Sequence, residues 1–365
     1  MPDGGAIDDV PTVPAPYFRT AALRNSRLTA FFVRIARNYL PDAYLFAVIL
    51  TFLSFLLALL LADKNFLELV DMWGQGLWGI PSFAMQMTLI LVTGHALASS
   101  KPVHSILKTI ARLPQGPVAA VMLVVFVASI ASWLNWGFGL VVGALLAREV
   151  AKVVRDADYP MLVAAAYSGF VVWHSGLSGS IPLALATKGH LVEDLTGVIP
   201  VSQTIFSSWS LIITWFIIFT LPILFYLMAR GHRHIIKIDP ALLEDRVEEV
   251  AASGEVTVAQ RVENSIILNM LLGLMGVIFL VNYFVKGGTL DLNIVIMIFL
   301  MVGIILHGRP INYVRAVNNA IKGAGGIALQ FPLYGRIQGI MVSSGLAAVI
   351  AQGFISLSTA KSLPV

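Results

Sequence analysis

Residues 116–147 read GPVAAVMLVVFVASIASWLNWGFGLVVGALLA, without one charged side chain. About 20 helical residues cross a hydrocarbon core about 30 Å thick, so this stretch is too long for one plain crossing. It is interrupted once, at Asn135-Trp136-Gly137-Phe138-Gly139, with Ser132 just ahead. It therefore reads as two helical arms joined by a tight turn. Apolar length alone leaves open whether each arm crosses fully or both dip in and return.

The same character recurs on either side. Residues 43–62, 76–98, 205–228, 264–285 and 290–306 read as spans, the second opening with Gly76, Gly79 and Pro81. Residues 160–187 are apolar but too long and too broken for one regular helix. The last apolar stretch, about 323–359, carries Arg336 inside it. Composition agrees: the chain is 58% hydrophobic and 12% charged, with mean hydropathy +0.84, against roughly 25% charged in soluble domains. A water-soluble fold could not cover so much apolar surface. The fold class is an all-α polytopic membrane protein.

Cysteine is absent, which excludes disulfides, thiolate metal sites and cysteine nucleophiles. The formal net charge of +4 is read through its distribution between loops and is no nucleic-acid footprint. The polar, proline-bearing residues 1–16 do not form a cleavable signal peptide. Residues 18–38 mix Phe18, Phe31, Phe32 and Ile35 with five arginines, which suits either an amphipathic helix at an anionic membrane face or a basic leader that sets orientation. Basic segments at the N-terminus, 101–112, 148–155, 229–261 and 309–322 all fall on one side if 116–147 enters and leaves together. Lys and Arg near span ends mark the cytoplasmic side, so the N-terminus is expected to be cytoplasmic. The expected organisation is a basic segment 1–40, a first membrane repeat 41–228, a cytoplasmic linker 229–263 with an acidic, helix-like run at Glu244, Asp245, Glu248 and Glu249, and a partial second repeat 264–365. Gly76-Leu77-Trp78-Gly79-Ile80 and Gly323-Ala324-Gly325-Gly326-Ile327 echo each other and run in opposite directions on this topology, as in inverted-repeat transporters.

Two places break the helical pattern at membrane depth. One is the 135–139 turn; the other is Trp173-His174-Ser175-Gly176-Leu177-Ser178-Gly179-Ser180-Ile181-Pro182. Irregular backbone survives there only where protein buries it or it lines a wet cavity. Freed N–H groups suit a carboxylate, and carbonyl, Ser and Asn oxygens suit Na⁺; a Gly/Ser face for tight helix packing is the plainer alternative. Candidate substrate or ion ligands are Ser132, Asn135, Trp136, Gly137, His174, Ser175, Ser178, Gly179, Ser180 and Arg336. His174 is the ionisable group of its span, able either to carry a coupling proton or to rest neutral in the bundle. Arg336, about mid-depth, needs an anion, carbonyls or water, or else snorkels to the interface. Trp73, Trp78 and Trp209 read as interfacial belt residues.

Leu134-Asn135-Trp136-Gly137-Phe138-Gly139-Leu140, the block from Tyr167-Ser168-Gly169-Phe170 through Trp173-His174 to Pro182, and Leu329-Gln330-Phe331-Pro332-Leu333-Tyr334 closely resemble the bacterial short-chain fatty acid transporter family. The resemblance runs from about residue 20 to the C-terminus. It implies ion-driven uptake of short-chain carboxylates such as butyrate or acetoacetate, by symport with Na⁺ or H⁺, across the bacterial cytoplasmic membrane. It also implies an inverted-repeat fold with a re-entrant hairpin in each repeat, the first being 116–147. Two departures stand out. The family pattern continues past Ser358-Thr359 into a second Gly-rich hairpin, whereas this sequence stops at Val365, and it has a small residue where Arg336 stands. A shortened chain is therefore expected, working as a homo-oligomer or with a complementing subunit.

Two other functions compete. A truncated membrane subunit need not transport by itself. An intramembrane serine protease is suggested by Gly176-Leu177-Ser178-Gly179, but a catalytic Ser needs a His within reach. His174 shares a helical face with Ser178 only if the helix is unbroken between them.

Overall fold

The computed structural model describes residues 27–190, 192–231, 235–243 and 257–358. The expectations for residues 18–26 and for the acidic run at 244–249 fall outside them. Two compact units are present, 1–42 and 43–365. The described part of the first is helix α1 (Arg27–Tyr39), which displays Phe31, Phe32 and Arg34 to its surroundings.

The second unit is helical throughout, with no strand among the described residues. In chain order it comprises α2 (Ala43–Leu61), α3 (Phe66–Gly76), α4 (Pro81–Ala98), α5 (Lys101–Ile110), α6 (Pro117–Leu134), α7 (Trp136–Val153) and α8 (Tyr159–Ser168). It continues with α9 (Ser180–Ala186), α10 (Glu193–Thr196), α11 (Ser208–Arg230), α12 (Val258–Glu263), α13 (Ile266–Val285), α14 (Leu292–His307), α15 (Pro310–Ala320), α16 (Gly325–Ser343) and α17 (Leu346–Leu357). Among the described residues five helical runs are long and apolar enough to cross a membrane: α2, α6, the broken run Tyr159–Ala186, α11 and α13. Two bent pairs, α3 with α4 (43°) and α15–α16 with α17 (68°), raise this to seven if each is one crossing.

Local chemistry sets the boundaries, and several differ from the sequence reading. The second span starts at Pro81, not Gly76, because Gly76 ends α3 and Leu77–Gly79 form a 3₁₀ turn ahead of the proline. Proline lacks the N–H that a helix interior needs, and is favoured at the first helical position. Helix α3 itself lies mostly between the first two expected spans; a capping box supports it, Asn65 Oδ1 accepting from Glu68 N–H while Glu68 accepts from Asn65 N–H. The basic stretches after α4 and α14 are likewise helices, α5 and α15, each with a proline within its first two positions. The last apolar stretch divides at Gly345, whose φ of +81° is left-handed.

Packing centres on α6. Ser132 lies against Gly139 and Ala128 against Gly143, so α6 and α7 are antiparallel arms about Asn135. Ala128 also meets Gly169 and Trp133 meets Gly176, so the chain from α8 to Gly176 runs parallel to α6. An aliphatic core of Val121, Val124, Val125, Leu146, Val150 and Leu162 joins the three. Helices α2, α11 and α13 are mostly exposed along their apolar lengths, as lipid-facing helices are.

Helices α4 and α14 run side by side in the same direction. Gln86 Nε2–H donates to Asn293 Oδ1 at 2.8 Å near their starts, and His307 Nε2 meets the Ala96 carbonyl at 2.8 Å near their ends. Helix α16 runs the other way along α3 and α4: Gly339 meets Met72 and Gly76, Gly335 meets Gly76 and Ile80, and the Phe331 and Phe83 rings are 5.8 Å apart. At this crossing Arg336 lies over the Trp73 ring, 4.1 Å from its centroid. Trp73 is half-buried beneath the guanidinium, whereas Trp78 and Trp209 are each 76% exposed.

Candidate functional site

Both expected breaks are present, and they dock on each other. At the first, Asn135 leaves α6 in an extended conformation (φ −158°, ψ 128°) and immediately caps α7, its Oδ1 accepting from the Phe138 N–H at 2.9 Å. One residue thus turns the chain, and Asn is among the best residues for that cap. Gly137 rides on α4, where a Cβ would come 2.8 Å from Leu91 Cα and 2.9 Å from its carbonyl oxygen. At the second break a 3₁₀ segment, Gly169–Ser175, ends in extended backbone at Gly176 (φ −94°, ψ 175°), and α9 resumes at Ser180.

Two hydrogen bonds join the breaks. The Trp136 N–H donates to Ser178 Oγ at 2.8 Å, and the Leu177 N–H donates to the Trp133 carbonyl at 2.7 Å. Gly176 is packed directly on the Trp133 carbonyl. Ser132, Asn135 and Ser178 are each 1% exposed or less. The polar capacity here is nevertheless unspent: Ser132 Oγ, Trp133 Nε1, Asn135 Nδ2 and Trp136 Nε1 are shielded from solvent and have no hydrogen-bond partner. A buried unpaired donor costs about 1–3 kcal/mol. Four such atoms lie within five residues, where the two breaks meet.

Of the candidates from sequence, Ser132, Asn135, Trp136, Gly137, Ser178 and Gly179 come together here. Ser175 Oγ–H is committed to the Val172 carbonyl at 3.0 Å, and Ser180 opens α9, half-buried. His174 is exposed, its ring 3.6 Å from that of Trp173. Arg336 belongs to the separate cluster with Trp73. The helical face that would have joined His174 to Ser178 does not exist, since the 3₁₀ segment stops at Ser175. Ser178 Oγ instead holds a backbone N–H, so the geometry is not that of a Ser–His pair.

Sequence reasoning missed Trp133. The available signal was an indole N–H in the middle of an apolar run, a group that takes a partner when buried. It also missed Gly94, on which the Asn135 side chain rests, and the amides Gln86, Asn293 and Gln338.

Helix α4 links the site to two cavities. A cavity of ≈ 560 Å³ at its start is lined by Ser82, Gln86, Lys188, Asn293 and Gln338, among others. Another, of ≈ 330 Å³, lies at its end and is lined by Ser99, Lys101, His307, Asn312 and Arg315. The docked breaks touch α4 between these, at Ile90, Leu91 and Gly94. Among the described residues no group of His, Asp and Glu is arranged to hold a metal ion.

The family model described as "Short chain fatty acid transporter" matches residues 24–365. A protein of Escherichia coli strain K12, named "Putative short-chain fatty acid transporter", is 42% identical over 341 residues, covering 93% of this chain and 78% of its own length. A protein of Haemophilus influenzae with the same name is 41% identical over 349 residues, with the same coverage. No solved structure matches the chain.

Proposed function

This chain belongs to the short-chain fatty acid transporter family, a family of transporters and not of enzymes, and from that premise we propose that it is a symporter for a short-chain carboxylate such as butyrate or acetoacetate. Na⁺ or H⁺ supplies the drive, and the bacterial cytoplasmic membrane is its location. The observation that carries this reading is the set of unpaired donors at Ser132, Trp133, Asn135 and Trp136. A carboxylate is an acceptor with two oxygens and no donor, so it satisfies those groups without leaving one of its own unpaired. The Ser132 and Ser178 oxygens and nearby carbonyls suit a coupling Na⁺ in the same place.

On this reading access alternates between the two ends of α4. The substrate enters from a cavity at one end of α4, is held where the breaks meet α4, and leaves by the cavity at the other end. Supporting a re-entrant 116–147 hairpin, its tip stops short of the far end of the bundle. The seven residues of α9 extend beyond it, about 10 Å of helix, as does the first half of α4.

The inverted-repeat reading gains from a matched pair of units. An 11-residue helix, a 3₁₀ turn and a helix of 18 residues make up α3 to α4; an 11-residue helix, a 3₁₀ turn and a helix of 19 residues make up α15 to α16. The long helices of the two units pack antiparallel. On this reading the first repeat is 41–228, the linker is 229–263 and the second repeat starts at 264, with the N-terminus cytoplasmic.

Uptake of labelled butyrate and acetoacetate into proteoliposomes, with Na⁺ and pH gradients imposed separately, tests the proposal. Accumulation under one gradient is expected. Correctly inserted protein that accumulates neither acid under either gradient would overturn it.

A further inference from the structure

We propose that the ≈ 560 Å³ cavity at the start of α4 is a second carboxylate site, a capture site with Lys188 as its cation, distinct from the docked breaks. This rests on the carboxylate-transport reading above and extends it. Ligand cavities run roughly 300–1,000 Å³, and the lining of this one is of two kinds. Ile80, Phe83, Ile181 and Leu185 are apolar, while Ser82, Lys188, Asn293 and Gln338 are polar. A short alkyl chain ending in a carboxylate has the same division.

The other polar groups of the cavity are already committed. Thr187 Oγ–H donates to the Leu183 carbonyl and the oxygen accepts from the Leu292 N–H. His190 is held within its own loop, with one ring nitrogen against the Gly197 carbonyl and the other facing the Val192 N–H. Gln86 Nε2–H is donated to Asn293 Oδ1, which leaves the Asn293 Nδ2 donors free to face a ligand. Lys188, Ser82 and Gln338, by contrast, have no hydrogen-bond or ion-pair partner among the described residues.

Among the described residues no carboxylate lines the cavity. Of the acidic groups nearest in sequence, Glu193 accepts from the Gly189 N–H and Asp291 caps α14 through the Ile294 N–H. Lys188 is thus a cation facing donors and hydrocarbon, an arrangement that selects a small monoanion.

The cavity also has a route inward. Phe83, on its apolar wall, belongs to one hydrophobic cluster with Met87, Ile90 and Leu183 that includes Trp136 and Leu177 of the docked breaks. The cluster separates capture from the inner site and must rearrange for the acid to pass.

The cysteine-free sequence permits a direct test, since Ser82→Cys creates a unique thiol on an exposed position. The rate at which an anionic methanethiosulfonate labels Ser82→Cys in full-length, reconstituted protein is measured with and without butyrate. Butyrate should slow labelling several-fold and butylamine should not. Lys188→Gln should abolish the protection and Lys188→Arg should restore it; Lys188 is exposed, so neither change threatens the fold. Unchanged labelling in the presence of butyrate overturns the capture site, whether or not uptake is seen. Protection that persists in protein incapable of uptake overturns the transport reading and leaves the site standing.

Discussion

The Trp136 backbone N–H donates to Ser178 Oγ at 2.8 Å, across 42 residues of sequence. That bond ties the first residue of α7 to the break before α9, with Ser178 fully buried. Together with the Leu177 N–H bond to the Trp133 carbonyl, it joins two separate irregularities of the chain.

Replacing Ser178 by Ala removes the acceptor and leaves a buried N–H unpaired, which costs about 1–3 kcal/mol. Detergent-purified Ser178→Ala should unfold at lower temperature than the wild type and take up butyrate more slowly. Equal stability and equal uptake would show that the bond does not hold the breaks together.

Gly94 and Gly74 provide a matched pair. A Cβ on Gly94 would overlap Asn135 Oδ1 and lie 2.6 Å from the Phe138 nitrogen, whereas one on Gly74 meets nothing within 4 Å. Overpacking of this kind costs typically about 1–3 kcal/mol, and the atoms met belong to the α7 cap. Gly94→Ala should therefore abolish most uptake, while Gly74→Ala, in an exposed helix position, should be neutral or stabilising by up to about 1 kcal/mol. A thermal-shift assay alongside uptake separates the two; the same result for both variants would contradict the close approach.

The fold was largely legible in the sequence because membrane crossings are written in apolar length, and the breaks because Asn135, Gly176 and Gly179 cannot sit quietly inside helices in lipid. The helices α3, α5 and α15 were not legible as helices. Their signal is short and amphipathic, and in α5 and α15 the basic residues that mark a loop side also occupy a helix face. The site was legible by address but not by membership. Spacing could not reveal that His174 faces outward while Trp133, its near neighbour in space along the parallel run, contributes a buried N–H. Nor could it show that Arg336 finds its partner on α3, since cation–π pairing depends on the crossing of α3 and α16 and not on any local pattern.

Arg336 is accordingly a packing residue on this account. A guanidinium over an indole contributes about 0.5–2 kcal/mol, so Arg336→Gln should lower thermal stability by an amount of that order. The KM for butyrate should stay within twofold of wild type. A KM raised tenfold or more with unchanged stability would place Arg336 at the substrate instead.

Lys237 and Asp156 pin the segment after α11 beside the connection between α7 and α8, with Nζ and Oδ1 2.6 Å apart. The hydrogen bond from Lys237, and then its charge, hold the Asp156 carboxyl below its ordinary range. A lowered folded-state value means that the contribution is present above the unfolded pKa, about 3.9, and is lost as pH falls through the folded one. Both groups are exposed, so the contribution is small. Asp156→Asn should change uptake by the same factor at pH 5.5 and pH 8. A factor that differs between those values would assign part of the pH dependence to this pair.

If the unpaired donors at the docked breaks hold a carboxylate, Asn135→Asp removes one of them without removing the cap. Aspartate keeps the oxygen that caps α7 through the Phe138 N–H, so the turn survives, but it replaces the free Nδ2 donor with an oxygen that repels an anion. Uptake of labelled butyrate by Asn135→Asp, in protein that reconstitutes and melts like the wild type, should fall at least tenfold. Uptake at the wild-type rate and with the wild-type KM would contradict the claim.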